Sequence, residues 1–229
     1  TFTSVNFNMM IMVIYALITI AIFGMWYYAR YEGNFLPSPK KTFNPMMLVA
    51  IVILVPGTQF AANFIANLTG YIRPDWLQQY NDLFETSGIT DTTFVTVLYS
   101  VILAPICEEL IFRGVTMRCA RKALPFALAN LMQAALFGLF HLNWIQGIYA
   151  FALGIVLGYV CECGGSIYYS IGLHLLFNLW GTLSGFFPDP GNSVVVFVIV
   201  IAVTIVSLVV GFVLFNKGRR KLPINSTGI

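Results

Sequence analysis

The chain has 229 residues, 59% of them hydrophobic and only 9% charged, with a formal net charge of +3. Its mean hydropathy is +0.83. A soluble domain of this size has no use for so much apolar surface, and the few basic residues form no nucleic-acid patch.

Long uncharged stretches run over 9–29, 42–72, 92–107, 123–161, 163–188 and 190–216. About 20 apolar residues cross the roughly 30 Å hydrocarbon core as a helix. The 123–161 stretch holds about twice that, and "HLNW" (141–144) marks a turn within it. The runs are continuous rather than alternating, which excludes a membrane barrel. The expectation is an all-α polytopic bundle forming one integral-membrane domain over 1–229. Its seven spans are placed at 8–28, 46–68, 92–112, 124–142, 145–162, 167–187 and 193–215.

The first run has no basic flank before it and no small-residue cleavage site after it, so it reads as a span rather than a leader. The 32–45 segment is a loop rich in turn formers. Pro56 interrupts the second span and is expected to kink it. In the 69–91 loop, "PDWLQQYNDLFE" predicts a short amphipathic helix at the interface, starting near Pro74. Trp76, Tyr80 and Phe84 share one of its faces and read as interfacial anchors. Pro105 is expected to kink the third span just before its glutamates. Cys107 reads as a small packing residue, and the Cys161–Cys163 spacing is not that of a zinc site.

Basic residues fix an expected orientation. Loops on one side hold Arg30, Lys40, Lys41, Arg118, Arg121, Lys122, Lys217, Arg219, Arg220 and Lys221. The other side holds Arg73 among Asp75, Asp82, Glu85, Asp91 and Asp189. The positive-inside rule then puts the N-terminus outside and the C-terminus in the cytoplasm.

Ionisable residues inside spans are costly and point to function. Here they are Glu108, Glu109 and Arg113 on the third span, His141 at the end of the fourth and His174 in the sixth, with Asn178 one turn on. Glu109 and Arg113 are four apart and pair on one face, which by itself is more often a structural ion pair than a catalytic one. Glu108 points about 100° away and has no partner of its own. Counting rise from the turn near 123 puts Glu108 and His141 within about 5 Å in depth, but leaves His174 about 10 Å deeper, so tilt or a re-entrant turn is required.

Several routes to peptide cleavage lack their marks. "GTLSG" (181–185) has the wrong spacing for a serine site, which leaves Ser184 a weak candidate. Every Asp lies in a loop, and there is no His-Glu-x-x-His. A carboxylate and an imidazole acting on water remain. In that scheme Glu108 takes the proton, His141 helps hold the water, and His174 and Asn178 donate to the oxyanion.

Three motifs carry a resemblance: "EELIFR" (108–113), "FGLFH" (137–141) and "HLLFN" (174–178). In this order and spacing they resemble the CAAX protease and bacteriocin-processing (Abi) family of intramembrane endopeptidases, over about residues 95–180. The resemblance implies a site in a cavity within the membrane. It implies that Glu108, His141, His174 and Asn178 work there, with Glu109 and Arg113 supporting. It also implies a membrane-associated substrate, prenylated in one branch of the family, and the bilayer as partner. Metal-free water activation is favoured. A zinc-dependent version would use Glu108, His141 and His174 as ligands. A non-catalytic binder of lipidated or amphipathic peptides, of the bacteriocin-immunity type, is the alternative function. The orientation sets His141 near the outer end of its span, whereas prenyl-protein cleavage is expected to face the cytosol.

Overall fold

The computed structural model describes residues 4–29, 43–87, 93–184 and 193–219. Among them are eight helices and no strand. In chain order they are α1 (Ser4–Tyr27), α2 (Pro45–Ile72), α3 (Pro74–Ser87), α4 (Phe94–Arg121), α5 (Phe126–Phe140), α6 (Trp144–Gly164), α7 (Ile167–Ser184) and α8 (Val194–Arg219). The expected polytopic helical bundle is what forms.

Five of these helices are long and apolar enough to cross a membrane: α1, α2, α4, α6 and α8. The expected fourth span, 124–142, is shorter than the sequence suggested, and the expected sixth, 167–187, is described as far as Ser184. α5 has 15 residues and α7 has 18, about 22 and 27 Å at 1.5 Å per residue. Both bury polar side chains, Asn130 and Gln133 on α5 and Ser170 and His174 on α7. His141 directly follows α5, and His174 lies within α7.

Local sequence explains the boundaries. Asn44 caps α2 by accepting from the Met46 backbone N–H at 2.9 Å, with Pro45 at the first helical position. Asn143 caps α6 in the same way through Gln146 N–H at 3.0 Å. Between α5 and α6 the chain turns at Leu142, whose φ of 53° lies in the left-handed region.

α2 runs on through Pro56 because α8 repairs the ladder there. The Gly57 N–H donates to Ser207 Oγ at 2.8 Å, and Ser207 Oγ–H donates in turn to the Ile53 carbonyl. A hydroxyl thus replaces one main-chain bond beside the proline. Glycines let the helices come this close: a Cβ on Gly211 would stand 2.6 Å from the Leu54 side chain. α5 and α6 meet through Gly138 and Gly147, each facing the other's carbonyl.

The two ends of the bundle differ. At one end Arg121 pairs with Glu162 at 3.1 Å, Arg219 reaches Cys163, and Asn44 Nδ2 donates to the Gly218 carbonyl at 3.2 Å. The described basic residues Arg118, Arg121, Lys122, Lys217 and Arg219 all belong to helix termini at this end. Arg30, Lys40, Lys41, Arg220, Lys221, Asp91 and Asp189, which also entered the orientation argument, lie outside the described residues, as does most of the 32–45 loop.

The other end carries α3, the expected amphipathic helix, beginning at Pro74. Trp76 stacks on Trp144 of α6 at 5.3 Å, with the Arg73 guanidinium 4.2 Å from the Trp76 ring. Trp76 and Tyr80 are half-buried; the Phe84 side chain lies outside the described set. The shared face is therefore docked on protein as well as suited to an interface.

Candidate active site

α4 is not a uniform helix. Two wide-turned π-helical stretches, Leu98–Leu103 and Leu110–Met117, bracket the α-helical Ala104–Glu109. At the first, the Ala104 N–H reaches five residues back to the Tyr99 carbonyl. Pro105 comes directly after, so the irregularity expected from the proline takes this form. A wide turn adds a residue without adding a turn and swings the residues beyond it by about 100° relative to an uninterrupted helix. Both glutamates sit on the turn between these two stretches.

Their environments diverge as the spacing predicts. Glu109 is sealed, with side-chain exposure of 0% for it and for Arg113. Arg113 Nη1 donates to Glu109 Oε1 at 2.8 Å, and Nη2 donates to the Gly154 carbonyl at 3.2 Å. The guanidinium also lies 4.5 Å from the centre of the Phe137 ring. Glu108 keeps 16% side-chain exposure and faces a cavity of about 820 Å³.

The structure brings the expected site residues together. Glu108, His141, His174 and Asn178 all line that cavity. His174 Nδ1 lies 2.9 Å from Glu109 Oε1, and its Nε2 lies 3.6 Å from Glu108 Oε2. Glu109 therefore supports more than Arg113. One carboxylate oxygen holds both the guanidinium and the imidazole. A carboxylate accepts, so His174 Nδ1 carries a proton and Nε2 is the atom turned toward Glu108.

His141 is fixed by its own helix. Its Nδ1 lies 2.8 Å from the Phe137 carbonyl. A carbonyl can only accept, so Nδ1 donates, and in the neutral ring Nε2 is a lone-pair acceptor. The depth gap expected between the histidines is closed without a re-entrant turn. Side chains on a helix lean toward its N-terminus, and His141 leans back onto Phe137. The Phe137 ring then meets both imidazoles edge to face, at 4.9 Å for His141 and 5.8 Å for His174.

Asn178 Nδ2 donates to the Ser100 carbonyl, within the first π-helical stretch, at 2.8 Å. One amide proton is thereby used and the second is left for another acceptor. Ser184 also lines the cavity, but its hydroxyl donates to the Gly181 carbonyl at 2.7 Å. Cys107 is buried, as a packing residue would be.

Sequence reasoning missed the support behind Arg113. Gln133 Nε2 donates to the same Gly154 carbonyl at 2.9 Å and to Asn130 Oδ1 at 2.7 Å, while Asn130 Nδ2 donates to the Ile155 carbonyl at 3.0 Å. Gly158 makes room: a Cβ there would collide with Asn130 Oδ1. The signal was two polar residues three apart on an otherwise apolar helix, opposite a Gly-x-x-x-Gly step at 154–158.

α3 contributes to the cavity wall. Tyr80 and Leu83 line it, and Tyr80 shares a hydrogen bond with Tyr149. Burial pushes the Tyr80 phenol above its ordinary pKa, so it stays a neutral hydroxyl. Among the described residues, no three His, Cys, Asp or Glu side chains are arranged to hold a metal ion. The Glu108, His141 and His174 donors are not drawn together as a three-ligand zinc site would have them.

Residues 90–180 match the model of a protein family described as type II CAAX prenyl endopeptidase Rce1-like. The matched segment is less than half of the chain and contains all three motifs. It is consistent with the CAAX protease and bacteriocin-processing family and suggests a CAAX-type intramembrane protease. No curated protein and no solved structure matches.

Proposed function

We propose, on the premise of that family match, that this chain is an intramembrane endopeptidase. It hydrolyses a peptide bond of a membrane-embedded or lipidated protein with water activated by protein side chains. The observation that carries this reading is one cavity, within a helical bundle, lined by a half-buried carboxylate, two imidazoles and an amide. A second carboxylate and a guanidinium are sealed behind them.

Water lies between Glu108 and the Nε2 of His141. It attacks the scissile carbonyl carbon while its proton passes to Glu108. His174 Nε2–H and the second Asn178 amide proton donate to the oxyanion. In that state His174 is protonated on both nitrogens, with Nδ1–H held by Glu109. With the water proton on Glu108, the Glu109 carboxylate and the oxyanion together balance Arg113 and His174, so the buried group is neutral, as a low-dielectric site requires. Collapse of the intermediate returns the proton from Glu108 to the departing amine.

The cavity belongs to the end of the bundle that carries α3, away from the basic residues. With the basic end cytoplasmic, the N-terminus is outside, the C-terminus is cytoplasmic, and the cavity opens in the outer half. A substrate arriving laterally through the bilayer suits that placement.

The test is cleavage of a farnesylated CAAX-type peptide, labelled across the scissile bond, by the purified chain in detergent. Glu108→Gln and His141→Ala are each expected to lower kcat about 10²- to 10⁴-fold while the melting temperature stays within a few degrees. Equal cutting by both variants and the parent would end the enzymatic reading. Peptide binding without cleavage would support the non-catalytic binder. Loss of activity with a chelator, restored by zinc, would support the metal-dependent version.

A further inference from the structure

The proposed chemistry leaves unused a polar pair on α2, a helix outside the matched segment. Gln59 and Asn63, one turn apart, both line the cavity. Gln59 is buried, with 7% exposure. Its Nε2 donates to Asn63 Oδ1 at 3.1 Å. Gln59 Oε1 has no hydrogen-bond partner among the described residues. A buried amide oxygen without a partner is uncommon and marks a place where a donor is missing.

The position of this oxygen is informative. A Cβ on Gly181 would stand 3.9 Å from it. Gly181 is three residues beyond Asn178 on α7, about 4.5 Å along the helix axis. The unused acceptor therefore lies about one helical turn from the amide assigned to the oxyanion. An extended peptide advances about 3.3 Å per residue. The acceptor is thus within reach of a backbone group one or two residues from the scissile carbonyl.

A peptide in a membrane reaches such a site only after its own helical hydrogen bonds open, and each freed N–H then needs an acceptor. Acyl chains offer no donor, and a neutral carboxamide is a poor match for a phosphate headgroup. We infer that Gln59 and Asn63 form a backbone-reading subsite for an extended substrate peptide. Gln59 Oε1 accepts a substrate N–H, and Asn63 Nδ2 donates to a substrate carbonyl. Reversing both side-chain amides exchanges the two roles and still leaves one acceptor and one donor, and the ester that binds weakly is then the one replacing the N–H that reaches Asn63. The inference rests on the protease reading and adds to it a substrate-binding role for α2.

The experiment uses the same farnesylated peptide and a series of ester analogues, each replacing one backbone N–H by oxygen. Binding is measured to the full chain carrying Glu108→Gln, and cleavage to the otherwise unaltered chain. One analogue, at the residue whose N–H reaches Gln59, is expected to bind about 10-fold more weakly, the usual scale for one lost hydrogen bond in a buried site. Gln59→Met should raise KM for the all-amide peptide by a similar factor, leave kcat within about twofold, and abolish the penalty for that one analogue. Because the analogues probe the chain with Gln59 intact, misfolding of Gln59→Met would leave that arm decisive. If the peptide is cleaved but every ester analogue binds equally well, the subsite is wrong and the protease reading survives. If one analogue shows the penalty yet nothing is cleaved, the subsite stands and the protease reading falls. Failure of the peptide to bind at all overturns the subsite.

Discussion

The seam between α2 and α8 and the seam joining α4, α5 and α6 are both close helix contacts, yet they are held by different forces. In the first, glycines admit mostly apolar side chains, with Gly211 accepting Leu54 and Gly218 accepting Met47, and the Ser207 hydroxyl beside Gly57 is the polar exception. In the second, Gly158 admits the Asn130 and Gln133 amides, and the Gly154 carbonyl receives both Arg113 and Gln133. Close packing of apolar groups is non-directional and fills space. A polar network has fixed geometry, costs desolvation, and keeps its members aimed. The apolar seam gives the bundle cohesion, and the polar seam sets the position of Glu109 and, through it, His174.

The largest effect that separates the seams is expected from Arg113→Met. It leaves the Glu109 carboxylate buried without its cation and should destabilise the fold by about 3–5 kcal/mol. Combining it with Glu109→Gln should recover much of that stability without recovering cleavage. Thermal denaturation in detergent, read beside the peptide assay, checks both. Full activity in the double variant would mean that the pair only stabilises.

A matched pair of single-methyl insertions is the next test. Gly211→Ala and Gly158→Ala should each cost about 1–3 kcal/mol from overpacking. Their activities should part. Gly158→Ala displaces Asn130 from Gln133 and should lower kcat per folded molecule several-fold, whereas Gly211→Ala should leave kcat unchanged. Equal kcat values would show that the network does not position the site.

The smallest effect is expected beside His141. Leu142 is almost fully exposed and holds a left-handed backbone with φ 53°. Leu142→Gly should relieve that strain and stabilise the protein by about 1 kcal/mol, seen as a rise in melting temperature. A fall would mean that the leucine side chain contributes more than its backbone costs.

Much of the bundle was open to reading from sequence because hydrocarbon allows few solutions. Continuous apolar runs of sufficient length must be helices, and caps such as Asn44–Pro45 and Asn143 mark their ends. The four-residue step from Glu109 to Arg113 is equally local, since helical geometry alone makes them meet and turns Glu108 aside. Other features depended on which helices became neighbours. The Glu109–His174 contact joins positions 65 apart in the chain. The Asn178 bond to the Ser100 carbonyl, in the widened stretch of α4, likewise joins positions 78 apart. The Phe137 ring that serves both imidazoles comes from packing too, as does the unused oxygen of Gln59. Local covalent geometry and the solvent determined the helices. The direction in which a polar group points once inside was decided by the tertiary structure, because in a low-dielectric interior each such group takes its position from whatever partner another helix supplies.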